Sequence, residues 1–269
     1  MRNTKNRAVT YLSLAATFMG CILTLAPSAT AQGNQGNNDV YSSAGGETGS
    51  AAFIDALLFL QSKGGTALDI CDAIYTVLTS TNPTYPQAGA VIDTRGISGS
   101  NLTCTKGTPW SENNVYVSKP STILLPAGVI SIPTTWILPN STRVIGEGST
   151  NPYTLPSTAT QPQTIIQACT SNTCTNGFSG STMIQFGDSH CPNPGFCTRL
   201  TLEDVTLNGS GLGINGIVNA NSQELSYAEN VVMYQVLGIG LQIPGSAENS
   251  RQYSNIAYDG APAIPAGLS

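Results

Sequence analysis

Three short segments in the second half of the chain echo one another. Glu203-Asp204-Val205-Thr206-Leu207, Glu229-Asn230-Val231-Val232-Met233 and Ser254-Asn255-Ile256-Ala257-Tyr258 align with Val205, Val231 and Ile256 in phase, at two intervals that are all but equal. A second echo, Gly213-Ile214 with Val218, returns at the same interval as Gly238-Ile239 with Ile243. A short apolar strand that recurs in this way cannot bury its inner face alone. It has to stack on the next copy, which is the logic of a solenoid. Asp204, Asn230 and Asn255 share one phase of the repeat. A small hydrogen-bonding side chain there reads as a turn ladder running from coil to coil.

Further upstream the same texture continues. Ala90-Val91-Ile92-Asp93, Ile123-Leu124-Leu125, Val129-Ile130, Trp136-Ile137-Leu138, Val144-Ile145, Ile165-Ile166 and Met183-Ile184 are short apolar runs among Pro, Gly, Asn and Ser. Ile123, Val144 and Ile165 are evenly spaced. Such runs are strands of an all-β chain. A β-sandwich also uses short strands, but its hairpins need no regular return, so a parallel coil is the stronger reading. Ahead of the strands the spacing is helical. Phe53, Ile54, Leu57, Leu58 and Leu60 suit one helix, stopped by Gly64-Gly65. Ile70, Ala73, Ile74, Val77 and Leu78 form the stripe of a second, beginning near Ala67 and ended by Asn82-Pro83 and Pro86.

The first residues have another purpose. Arg2, Lys5 and Arg7 precede an apolar run from Ala8 to Ala26, Pro27 breaks it, and Ala29-Thr30-Ala31 offers a cleavage site before Gln32. Residues 1–31 therefore read as a secretory signal peptide. The rivals are an uncleaved anchor and a lipid anchor on Cys21, which Phe18-Met19-Gly20 suits poorly. Residues 32–49, rich in Gly, Asn and Ser, read as a flexible leader. Cleavage removes three basic residues and leaves 7 Lys and Arg against 15 acids, a net charge of −8. That balance gives no footprint for nucleic acid and no basic patch for a membrane after signal cleavage. A polyanionic ligand would need local Arg, Lys or a bound cation. The expected location is secreted, periplasmic or on the cell surface.

Export also sets the chemistry of the six cysteines that remain, Cys71, Cys104, Cys169, Cys174, Cys191 and Cys197. In an oxidising compartment an even set reads as disulfides, with about 15 pairings open. Proximity in sequence favours Cys169 with Cys174 and Cys191 with Cys197, leaving Cys71 with Cys104. Structural zinc is disfavoured, because His190 is the only histidine and no CxxC pair occurs.

The stretch from Ile123 through Pro126-Ala127-Gly128 and Val129 to Pro133, continuing as Leu138-Pro139-Asn140 and then Val144-Ile145-Gly146-Glu147-Gly148, is more specific. It resembles the opening coils of the pectate lyase superfamily of right-handed parallel β-helices. There the chain runs strand, P-x-G, strand, apolar step, L-P-S/N, strand, G-x-G. The resemblance covers roughly residues 50–260 and implies a fold class that is all-β: a right-handed parallel β-helix, or solenoid, with an N-terminal α-helical cap at about 50–81. The β-helix domain is expected over 50–269. It finishes in Gly260 to Ser269 with no closing element, so it reads as an N-terminal portion whose last coil needs further coils or another chain to cover it.

The resemblance also implies a carbohydrate-directed function, a polysaccharide lyase or a glycoside hydrolase, with a polysaccharide as partner. The alternatives are a non-catalytic cell-surface or adhesive β-helix that binds glycans, or an inactive truncated remnant, since one fold hosts many activities. The Asn-Thr-Asp, Asp-Asp, Gly-His-Gly and Arg-Ile-Lys motifs of polygalacturonases are absent, and Gly238-Ile239-Gly240 lacks the histidine. The acids near the repeats are Asp188, Glu203, Asp204, Glu229 and Asp259, and the nearby bases are Arg199 and Arg251. Of these, Glu203, Glu229, Asp259 and Arg251 are the catalytic candidates. Glu203 and Glu229 share a repeat phase, so they would stack one coil apart and would serve as a catalytic pair or hold calcium. The plainer reading makes them solvated strand ends. No other cofactor is evident. His190, between loop cysteines, reads as a surface residue. Tyr227, Tyr234, Tyr253 and Tyr258 read as sugar-stacking surfaces or as strand packing.

Overall fold

The computed structural model describes residues 53–58, 69–80, 90–105, 107–112, 115–149, 163–174, 176–191, 195–223, 225–243 and, by backbone, 252–259. The expected signal peptide and leader, Leu60, Gly64-Gly65, Pro83, Pro86, Arg251 and the stretch from Gly260 to Ser269 lie outside them. The described elements belong to one unit, Gly36–Ser269. In chain order they are β1 (Phe53–Asp55), helix α1 (Ile70–Thr79), β2 (Ala90–Asp93), β3 (Ser111–Glu112), β4 (Val115–Tyr116), β5 (Ser121–Leu124), β6 (Gly128–Ile132) and β7 (Thr134–Leu138). There follow β8 (Thr142–Ile145), β9 (Thr164–Ala168), β10 (Ser179–Phe186), β11 (Thr201–Leu212), β12 (Asn215–Asn219), β13 (Tyr227–Val236), β14 (Leu241–Gln242) and β15 (Gln252–Asp259).

The protein is mostly β, and its large sheets are parallel. One runs β1-β2-β5-β8-β11-β13-β15, with β6 and β9 branching onto β11; the other runs β7-β10-β12-β14. Only the small β3–β4 hairpin is antiparallel among the described strand pairs. The first sheet turns a corner inside β11. Thr201 to Glu203 pair with β8, whereas Val205 to Asn208 pair with β9. The residue between them, Asp204, has φ +56°, and its counterpart one rung on, Asn230, has φ +53°. Asn tolerates this left-handed region best among non-glycine residues because its short amide bonds locally. Here Nδ2 of Asn230 donates to Oδ1 of Asp204 at 3.0 Å. The turn ladder is therefore present between these two rungs.

Register confirms the first echo. Val205 pairs with Val231, and Val231 with Ile256. The second echo slips by one position: Val218 pairs with Gln242 rather than Ile243. Because strand side chains alternate, one step reverses the face. Ile214 is buried, while Ile239 and Ile243 are exposed. The even spacing upstream marks a true rung for Ile123 and Val144 but not beyond. Ile165 lies in another column, against Val129 and Thr206, and Val144 pairs with Leu202. The rung from Arg143 to Thr201 is much longer than its neighbours, because it carries two of the disulfide loops. That insertion breaks the period.

Inside, like packs on like. Ile54, Ile92, Ile123, Val144, Leu202 and Ala228 form one stacked column, all at most 1 % exposed. Ile130, Ile166, Leu207 and Met233 form a second, and Trp136, Ile184 and Ile217 a third. Each buried aliphatic side chain contributes about 1.5–3 kcal/mol, so the columns supply the drive for stacking. Two motif glycines have steric reasons. A Cβ on Gly146 would collide with the carbonyl oxygen of Asp204 in the next rung, and Gly128, at φ +130°, would meet Leu102 at 2.8 Å.

Phe53 to Asp55, expected on a helix, form a strand that pairs with β2; only 56–58 are helical there. Ile54 gains complete burial as a rung of the first column, which outweighs the local helical spacing. Helix α1 buries the expected stripe of Ile70, Ala73, Ile74, Val77 and Leu78. Asp69 caps it, accepting from the backbone N–H of Asp72 at 2.9 Å, and its other oxygen accepts from the N–H and hydroxyl of Thr105. The disulfides join Cys71 to Cys104, Cys169 to Cys174 and Cys191 to Cys197, as proximity suggested.

Candidate functional site

The outer face of the first sheet carries two rows that follow from register. One row runs Thr122, Arg143, Thr201, Tyr227, and the other Asp93, Leu124, Ile145, Glu203, Glu229. Glu203 and Glu229 are direct partners on β11 and β13, so they stack as expected, with backbones about 4.8 Å apart. Diagonal contacts join the rows. Arg143 Nη2 lies 2.9 Å from Glu203 Oε1, and the Tyr227 hydroxyl donates to the same oxygen at 2.9 Å. Three successive rungs are thereby linked through one carboxylate. A second ion pair, Arg95 to Asp93 at 2.7 Å, lies further along the Glu203 row, where Asp93 pairs with Asp55 of β1. Between them Arg95, Leu124, Leu125, Ile145, Gly146 and Glu147 line a shallow cavity of about 360 Å³.

The electrostatics favour an ionised Glu203. Burial pushes its carboxyl up, but the hydrogen bonds from Arg143 and Tyr227 outweigh this and hold it below the ordinary value. The Tyr227 phenol is raised by burial and by its bond to Glu203, so it stays neutral. A carboxylate held ionised by a guanidinium is a poor proton donor and a good acceptor for sugar hydroxyls. The pair is also a poor cradle for calcium. Calcium seeks about six to eight oxygens, whereas here Arg143 sets a positive charge against Glu203. Among the described residues, the one group of three metal-ligand types is Asp69 with Cys71 and Cys104, and those cysteines are joined in a disulfide.

The other sequence candidates are scattered. Asp204 is the corner residue bonded to Asn230. Arg199 sits exposed at a different left-handed position, φ +59°. Asp259 pairs by backbone with Tyr234, beyond the bend and off the Glu229 row. Tyr253 lies opposite inward-facing Ala228, and Tyr258 opposite buried Met233. Asp188 and His190 follow β10 on the other sheet. Sequence reasoning missed Arg143. It stands 60 residues from Glu203, across the interrupted rung, and no local pattern marks that pairing.

No protein-family model, curated protein or solved structure matches the chain. Among the described residues, no helix is long and apolar enough to cross a membrane. Fold and site together define a mostly-β protein of curled parallel sheets, with three disulfides and a charged and aromatic row on one outer face.

Proposed function

We propose that the chain is an exported, carbohydrate-directed protein whose parallel sheets form a right-handed parallel β-helix of the pectate lyase-like kind. The outer face of its first sheet is the polysaccharide surface. One observation carries this reading: Arg143, Glu203 and Tyr227 are joined across three rungs beside Glu229. An extended polysaccharide presents hydroxyls and apolar ring faces at regular intervals. A row of stacked strands offers a carboxylate, a guanidinium and an aromatic ring at a regular pitch of its own. Three disulfides suit an oxidising compartment.

Cleavage of the polysaccharide is the activity the row would support. The stacking of Glu203 on Glu229 on adjacent strands supports hydrolysis by a carboxylate pair. In that arrangement Glu203, kept ionised, takes the nucleophile's place and Glu229 the proton donor's. Incubating the purified chain with a polysaccharide panel, with and without calcium, tests the reading. New reducing ends without ultraviolet absorbance are expected, and Glu229→Gln should lower their rate by about 10²-fold or more. Unsaturated products would replace hydrolysis with a lyase. Binding without products would leave a non-catalytic glycan binder, and neither binding nor products would remove the carbohydrate reading.

A further inference from the structure

A second polar cleft lies away from that row, on the side of the β7–β10 sheet. It measures about 520 Å³ and is lined in part by Tyr116, Thr135, Ser181, Gln185, Asp188 and His190. Its volume suits one or two sugar rings. At its rim His190 is held in a way a bystander would not be. Oδ1 of Asp188 accepts from the His190 backbone N–H at 2.8 Å, and Oδ2 lies 2.8 Å from Nδ1 of the ring. The imidazole also stacks on Tyr116, with ring centres 4.2 Å apart and planes 23° from parallel. The His190 side chain is nonetheless 55 % exposed. Fixing an exposed ring costs rotamer entropy and gains little burial.

The chemistry of this arrangement is directional. An ionised carboxylate only accepts, so Nδ1 of the neutral ring carries the proton and Nε2 is left as an acceptor. The Cys191–Cys197 disulfide anchors the loop, and the Asp188 N–H points to the sulfur of Cys191 at 3.4 Å. Hydroxyl side chains and the Gln185 amide supply donors and acceptors around the wall. Among the described lining residues there is one carboxylate and no Lys or Arg. An anionic sugar would meet only negative charge.

We propose that this cleft is a binding site for a neutral saccharide, with Nε2 of His190, oriented by Asp188 and Tyr116, accepting from a sugar hydroxyl. The site rests on the carbohydrate reading above for its ligand class alone. His190 is the only histidine, so its ring signals in proton NMR are unambiguous. Cellobiose, maltose, lactose and digalacturonate would be titrated into the full chain. At least one neutral disaccharide should shift the His190 ring signals saturably in the millimolar range, with digalacturonate clearly weaker. Asp188→Asn keeps the reporter and should weaken binding about three- to tenfold, the loss of one orienting hydrogen bond. His190→Ala should abolish the heat of binding in calorimetry while its melting temperature stays close to wild type. Glu229→Gln, on the other surface, should leave the disaccharide titration unchanged even where it stops polysaccharide cleavage. Absence of any shift with the three neutral disaccharides at tenths-molar concentration would overturn the proposal. So would a preference for digalacturonate, or calorimetry unchanged by His190→Ala.

Discussion

The corners of this molecule are made by single residues whose backbone sign matters more than their polarity. Asp204 and Asn230 both sit at positive φ, and the amide of one bonds the carboxylate of the other. Asn230→Val should therefore lower stability by about 2–3 kcal/mol, combining left-handed strain with a lost hydrogen bond. Asn230→Gly keeps the φ and should lose only about 1 kcal/mol, and denaturant titration separates the two. This corner was legible in the sequence because Asp and Asn recur at one phase. The positive φ shared by Ser141, Arg199 and Leu225 was not, since residue types so unlike announce no common conformation. At Glu203 the sign of the pH effect follows from a carboxyl held below its ordinary value. Its contribution is present above the unfolded carboxylate pKa and is lost as pH falls through the folded one. Glu203→Gln should thus be less stable than wild type at neutral pH, by under about 1 kcal/mol given the exposed guanidinium. The gap should close on acidification below about pH 4.

Among the elements, the apolar runs read as strands are strands, and the stripe on α1 is the buried one. Errors came where two periods compete over a short segment. Phe53 to Asp55 suit a helix by spacing and a strand by composition, and pairing with β2 decided it. The slip between β12 and β14 is a single-position matter that only the opposing strand can fix. Helix α1 depends on Asp69, a buried cap whose two oxygens serve Asp72 and Thr105. Asp69→Ala should cost about 2 kcal/mol or more and lower the melting temperature, because it removes the cap and leaves the Thr105 donors without their partner. Asp69→Asn, which keeps an acceptor for the helix, should recover part of that loss.

At the scale of the molecule, the repeat was visible only where rungs are of nearly equal length. The returns from Thr201 to Tyr227 and from Tyr227 to Gln252 match to within a single position, and the echo survives. Across the long rung from Arg143 to Thr201 it vanishes, and with it any hint that Arg143 meets Glu203. A site assembled by strand pairing is invisible to local motifs, because its members are neighbours only after the parallel strands have paired. The stacked glutamates could be read from the sequence because they belong to equal rungs; their basic neighbour Arg143 could not. The central proposal is that the outer row of the first sheet faces a polysaccharide. Depletion isotherms on a panel of insoluble polysaccharides test it most directly, comparing wild type with the double variant Arg143→Ala and Tyr227→Ala. The expected result is saturable depletion of wild type by at least one polysaccharide, weakened about tenfold or more in the double variant. Equal depletion of both proteins, or of neither, would contradict it.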